Sequence, residues 1–321
     1  MSEANSLDTS GNSSFSRLLP GLQLAIDSTS LGEFKTCPRK YLYRVVLGWT
    51  PRAESVHLTF GILLHQAREL YDHLRVDGRS HDEALRQTVH RALRDTWNSD
   101  LQRPWISDHK YKNRLTLLRT IVWYLDEKAR EDVLQTVVLA NGKPAVELSF
   151  RFDSGLTSST GEPVLLCGHL DRIAKLGDEA YIVDIKSTGG TLGPGFFSQF
   201  IPDNQFSLYS LAGRVAFETP VAGIIVDGAQ VAIGFSRFER GLVGRSAEQL
   251  DEWLEDVSVW IGQMDEAARN ASWPMNDKAC HHYGGCPFRP VCSRPPGARQ
   301  QWLQADYTKR IWDPLRVRGD I

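Results

Sequence analysis

Asp184-Ile185-Lys186 is the first place where residue type and spacing suggest a reaction. In an extended strand residues i and i+2 share a face, so the carboxylate and the ammonium stand side by side. The carboxylate would hold a divalent cation. The lysine would orient a water or stabilise charge developing on a phosphate, which is the chemistry of phosphodiester cleavage. The three-letter pattern alone is unspecific, since Asp108-His109-Lys110, Asp126-Glu127-Lys128 and Glu33-Phe34-Lys35 satisfy it too. Those three fall in helical or polar contexts, where the i and i+2 side chains diverge. Asp184 instead ends the apolar run YIVDIK, and Asp171, in Gly168-His169-Leu170-Asp171, precedes it by 13 residues, a hairpin's distance. Adjacent strands lie about 4.8 Å apart, so the two carboxylates could share one metal. The plainer reading of Asp184 and Lys186 is an exposed strand-edge salt bridge of small energetic worth.

Other residues could complete such a site. His65, in Gly61-Ile62-Leu63-Leu64-His65, lies on a helical stretch before the strands, where a neutral imidazole would fill a metal shell. Taken singly, it is more simply an ordinary helix residue. Gln205 and Tyr209 are four apart on a helical stretch after the strands and project from one face. They would contact DNA, hold the lysine, or merely form the polar edge of a packing helix. Glu147, on the first strand, would reach the same cleft or face solvent.

A second group is made of cysteines. Cys280, Cys286 and Cys292 are set among Gly284-Gly285, Pro287 and Pro290, in a loop able to wrap an inorganic centre, and Cys37-Pro38 supplies a fourth thiolate most simply. Four thiolates suit zinc or an iron–sulfur cluster. The paired C-x2-C knuckles usual for zinc are missing, while His281 and His282 keep a mixed zinc site open. Cys167, inside a strand, reads as a buried free thiol.

The frame that must position these groups is legible as periodicity. The chain has 321 residues, 41% hydrophobic and 24% charged, a globular composition that excludes collagen-like, coiled-coil and mostly disordered classes. No apolar run is long enough to span a membrane. The start, MSEANSLDTSGNSSFS, lacks the basic and apolar regions of a secretory signal, so a cytoplasmic, intracellular protein without a disulfide framework is expected. With a net charge of −2, any polyanion must be held by local patches or metals.

Residues 1–27 read as a disordered tail, with order starting at a capping box Ser30-Leu31-Gly32-Glu33. A helical region, 28–140, contains helices at 39–47, 61–74, 81–98 and 110–134. A core, 141–240, carries strands at 145–152, 163–174 and 180–187, a helix at 198–217, then strands at 221–228 and 229–238. A long amphipathic helix at 246–270 and a cysteine- and proline-rich segment fill 241–321. The fold class is α/β with helical additions on both sides. Arg86, Arg91, Arg94, Arg103, Lys110, Lys112, Arg114 and Arg119, with Arg39, Lys40 and Arg44, could line a channel for single-stranded nucleic acid, with Trp97, Trp105 and Tyr111 for stacking. For any one of them a solvated helix face is the simpler reading.

The ordered series Gly61-x-x-x-His65, Glu147, Gly168-His169-Leu170-Asp171, Asp184-Ile185-Lys186 and Gln205-x-x-x-Tyr209 resembles the RecB-like branch of the PD-(D/E)XK nuclease superfamily, from about residue 30 to 292. The resemblance implies a restriction-endonuclease-like core, a central mixed sheet flanked by helices. It implies Mg2+ or Mn2+ held by His65, Asp171, Asp184 and the carbonyl of Ile185, with Lys186 catalytic and Gln205 and Tyr209 as the QxxxY motif. One early and three late cysteines are similar to the iron–sulfur staple of CRISPR-associated RecB-like nucleases, the AddB nuclease domain and exonuclease V. That implies a structural 4Fe-4S cluster on Cys37, Cys280, Cys286 and Cys292. The late spacing departs from the common one, in which the first two of the three are two residues apart.

A metal-dependent DNA exonuclease acting on single-stranded ends is therefore expected, serving recombination, repair or CRISPR adaptation. There is no G-x-x-x-x-G-K-[ST] motif, so unwinding would need a partner such as a helicase or a single-strand annealing protein. The competing classes are a catalytically inactive DNA-binding module with the same staple, and a zinc protein of unrelated function.

Overall fold

A computed structural model describes residues 14–52, 55–130, 133–217 and 220–316, with the backbone alone at 282–284. They fall into two compact units: one comprises 14–52, 149–168 and 246–316, the other the remaining described residues up to 245.

In the second unit, residues 169–176 of strand Pro163–Leu176 form a hairpin with strand Glu179–Thr188, paired from Arg172↔Val183 to Leu176↔Glu179. Strand Glu179–Thr188 then pairs in parallel with Val221–Val231 on its other edge, and that strand pairs antiparallel with Ser236–Val243. The parallel step requires a crossover, which helix Asn204–Val215 supplies. Ile182, Val183, Asp184 and Ile185 are all buried, so both faces of this strand are covered. Fully burying each aliphatic side chain is worth about 1.5–3 kcal/mol.

On one face, Ile185, Ala229, Val231 and Phe238 pack with residues of helices Val56–Val76, His81–Asp95 and Arg114–Tyr124. On the other lies helix Asn204–Val215, where a Cβ at Gly213 would stand 2.9 Å from Val221 and 3.3 Å from Ile182. Alternation along the strand thus sends Ile182 and Lys186 to one face and Ile185 to the other. This is a mixed sheet flanked by helices, as a restriction-endonuclease-like core requires.

In the first unit, Ala25–Ile26 runs parallel to Leu165–Leu166. Helices Ser28–Thr36, Ala247–Arg269 and Pro296–Asp306 belong to the same unit. Phe34, Tyr41 and Trp273 form one aromatic group, and Tyr43, Phe288 and Tyr307 another. Among the described residues, no helix is long and apolar enough to cross a membrane.

Several expected boundaries differ. Of the expected tail 1–27, residues 1–13 lie outside the described residues, but Phe15, Leu22, Ala25 and Ile26 are buried. The capping box is Asp27 with Ser30, because Glu33 is engaged by Lys40 at 2.8 Å and Arg44 at 2.9 Å. The helix expected at 198–217 is two, Pro194–Ser198 and Asn204–Val215, the second capped by Asp203. Helix 110–134 shortens to Arg114–Tyr124, followed by one wide turn, Leu125–Ala129. Finally, Gly228 does not break the strand. Its missing Cβ admits Leu192 and Phe196, and the chain turns later, at 232–235. Arg119 donates to the carbonyls of Ala232, Ile233 and Phe235 there.

Candidate active site

The two strands of the hairpin part company beyond the Arg172↔Val183 pair, and the fork between them is the candidate site. Backbone groups facing the fork lack a ladder partner and must find others. Asp171 Oδ2 accepts the amide of Ile185 at 3.3 Å, and the carbonyl of Ile185 meets His65 Nε2 at 2.8 Å. His65 Nδ1 lies 3.1 Å from Asp171 Oδ2. Ligand atoms of His65, Glu147 and Asp171 all lie within 4.8 Å of one another. Glu147 has φ +49, a left-handed conformation that costs a non-glycine residue about 1–2 kcal/mol and is characteristic of functional sites.

Asp184 is fully buried; its Oδ2 lies 2.8 Å from Lys186 Nζ, and its Oδ1 accepts no hydrogen bond among the described residues. Lys186 Nζ also donates to Gln205 Oε1 at 2.8 Å. Gln205 Nε2 donates to the Tyr209 hydroxyl at 2.9 Å, which donates to the His169 carbonyl at 2.6 Å. Lys186 is thereby tied through one helix to the strand that carries Asp171.

The charges are mutually adjusted. Burial disfavours protonated His65, but the Asp171 carboxylate outweighs it and pushes its pKa up to about 9. Asp171 is held low: burial opposes this, and His65 and Lys186 prevail. Burial pushes Asp184 up to about 6 against the attraction of Lys186, with Asp171 adding repulsion. Lys186 is raised, since Asp184 and Asp171 overcome its burial, so its ammonium persists at neutral pH.

A divalent cation fits this donor set. An imidazole and two half-buried carboxylates lie within 4.8 Å of one another, and Asp184, outside that group, keeps a buried oxygen without a hydrogen bond among the described residues; all are hard or borderline ligands. A cation would supply the positive charge that the crowded carboxylates of Asp171 and Asp184 call for.

In the first unit, the structure draws together Cys37, Cys280, Cys286 and Cys292. Asn276 donates its amide to Cys37 Sγ at 3.3 Å, and Cys280 Sγ lies 3.8 Å from the Asn276 carbonyl. Burial raises the Cys286 thiol, with Cys37 and Cys280 adding repulsion. Burial likewise pushes Cys292 up to about 11, with Cys286 and Cys37 contributing. Four mutually sensed thiols suit an inorganic centre. Yet, among the described residues, only His65, Glu147 and Asp171 meet single-ion spacing. His281 is exposed and 3.4 Å from Arg289, and the His282 side chain lies outside the described residues. Cys167 is fully buried, its Sγ 3.6 Å from the Ile26 carbonyl, and burial raises its pKa.

Much of the expected basic channel is occupied by structural contacts. Arg91 pairs with Asp95, Arg114 bonds Thr96, Arg39 bonds the Trp273 carbonyl, and Lys40 and Arg44 hold Glu33. Lys112 is buried against Ser187, a pairing that no short-range spacing rule could have found, because 75 residues separate the two.

The family model of the PD-(D/E)XK nuclease superfamily matches residues 28–293, and the chain belongs to that superfamily. It is a nuclease, of a class that uses divalent metals. Among solved structures it is similar to the Eubacterium rectale protein called "Putative exonuclease". That likeness has 11% identity and a TM-score of 0.46, over 81% of this chain and 88% of that one. It is also similar to the protein called SSO0001, with 11% identity and a TM-score of 0.35, over 84% and 87%. No curated protein sequence matches it.

Proposed function

We propose that this nuclease is a Mg2+- or Mn2+-dependent deoxyribonuclease that degrades single-stranded DNA from its ends. The observation that carries the reading is the fork itself. His65 from helix Val56–Val76, Glu147 from strand Val146–Thr157 and Asp171 from the hairpin gather within 4.8 Å there, and the hairpin's second strand presents Asp184 and Lys186. His65, Asp171, Asp184 and the Ile185 carbonyl would hold the cation, and Glu147, which lies within 4.8 Å of the His65 and Asp171 ligand atoms, would join them. A bound cation supplies Lewis-acid stabilisation of a phosphoryl oxygen and lowers the pKa of water. Lys186, kept protonated by two carboxylates, serves as a donor to charge developing on the phosphate and not as a base. Gln205 and Tyr209 fix its position.

The preference for ends, and a role in recombination, repair or CRISPR adaptation, rest on the resemblance to end-processing nucleases. A helicase or single-strand annealing protein would deliver such ends. Cys37, Cys280, Cys286 and Cys292 would hold a structural 4Fe-4S cluster. One early and three late cysteines, without the paired C-x2-C knuckles usual for zinc, support a cluster over zinc.

The test is degradation of end-labelled linear and circular single-stranded DNA by anaerobically purified protein, with Mn2+ or with chelator. Metal-dependent loss of the linear form alone is expected. Cutting of both forms would replace the exonuclease reading with an endonuclease. Cutting of neither would leave a DNA-binding module.

A further inference from the structure

Lys112 is 5% exposed; its ammonium donates to Ser187 Oγ at 3.0 Å and lies 5.4 Å from the centre of the Phe60 ring. It forms no ion pair with a carboxylate among the described residues. A buried ammonium without a countercharge is costly, and burial accordingly lowers its pKa. A loop tether alone would be better made by a neutral side chain. A nearby anion would offset that cost.

Ser187 shows where that anion would sit. It is half-buried, and its only hydrogen bond among the described residues is the one it accepts from Lys112. With a lone pair so engaged, its own O–H remains to be donated. Ser187 follows Lys186 directly and lies two residues past Ile185. Its backbone therefore faces the same fork about 6.6 Å further along the strand. Beyond it, Gly189 is exposed, and the Tyr111 ring packs against it, within 2.9 Å of where its Cβ would be.

We propose that Ser187 and Lys112 form a phosphate-binding subsite for the DNA strand. The Ser187 hydroxyl donates to a non-bridging oxygen of a phosphodiester beside the scissile one, and Lys112 is a positioning residue that holds this hydroxyl in donor orientation. The inference rests on the nuclease reading and adds a contact to it. Ser187 and Lys112 belong to neither the metal site nor the Lys186–Gln205–Tyr209 chain.

The test uses the full chain with Mn2+ and linear single-stranded oligonucleotides, each carrying one neutral methylphosphonate at a successive position around the first cleaved bond. In the native protein, one flanking position raises KM about tenfold, the scale of a hydrogen bond to a charged group. Ser187→Ala raises KM similarly on the all-phosphate strand, leaves kcat within about twofold and becomes indifferent to that substitution. Ser187→Thr restores the native pattern, and Lys112→Met behaves like Ser187→Ala. An unchanged KM in Ser187→Ala, or the same methylphosphonate penalty in native protein and variant, overturns the subsite while native cleavage persists. Should Lys112→Met not fold, the two Ser187 variants decide alone. If the native protein cuts no DNA, the nuclease reading itself has failed, and the subsite falls with it.

Discussion

His65 and Ile185 are 120 residues apart, yet the imidazole Nε2 lies 2.8 Å from the Ile185 carbonyl oxygen. The hydrogen bond occupies two atoms that a bound cation would draw to itself. In the metal-free protein a proton therefore stands where the cation would be.

Proton release follows from this. The pKa of metal-free His65 is pushed up to about 9, so at pH 7 it is charged and must lose its proton to ligate. Calorimetry of Mn2+ binding in buffers of different ionisation enthalpy should show close to one proton released per ion at pH 7, with affinity climbing until about pH 9. The stability of the metal-free fold moves oppositely. A pKa raised on folding gives a contribution that is complete below pH 6.5 and lost as pH rises through about 9. Metal binding at pH 7 without proton release would contradict the assignment.

Tyr209 acts through Gln205 on Lys186, so Tyr209→Phe removes the hydroxyl that fixes the amide. Single-turnover cleavage should slow by about ten- to a hundredfold, with KM little changed. Stability should fall by about 1–3 kcal/mol, since the hydroxyl makes two hydrogen bonds, each worth about 0.5–1.5 kcal/mol. An unchanged rate would show that the lysine needs no such anchor.

Gly168, in the motif that leads to Asp171, is constrained by packing. A Cβ there would meet the Phe150 ring at 2.9 Å. Gly168→Ala should cost about 1–3 kcal/mol in denaturant unfolding. Phe150→Leu should recover part of that loss in the double variant; additivity of the two losses would show that the ring is not the obstacle.

Removing one proposed cluster ligand is the test for the cysteines. Cys286→Ser should yield colourless protein, deficient in iron and sulfide, with a lowered melting temperature. Native protein containing stoichiometric zinc and no iron would replace the cluster with a zinc site.

Much of the fork was legible because its geometry is local. Asp184 and Lys186 follow the period of a strand, Asp171 lies one hairpin away, and Gln205 and Tyr209 follow the helical i, i+4 rule. The contact of His65 with Ile185 obeys no spacing rule; the resemblance alone pointed to it. Gly228 misled because a glycine that admits Leu192 and Phe196 looks, in sequence, like one that makes a turn. Asp27 was passed over as a cap because Glu33 also completed a box, and only the structure shows that carboxylate taken by Lys40 and Arg44. Lys112 looked like a surface charge because composition does not reveal burial.

The most direct measurement is single-turnover hydrolysis of end-labelled single-stranded DNA by native protein and by Lys186→Ala, with Mn2+ binding verified in both. The expected result is metal-dependent cleavage by the native chain and at least about a hundredfold slower cleavage by a variant that still binds metal, the scale of losing one transition-state donor. Cleavage by Lys186→Ala at the native rate would contradict the assignment of this fork as the active site.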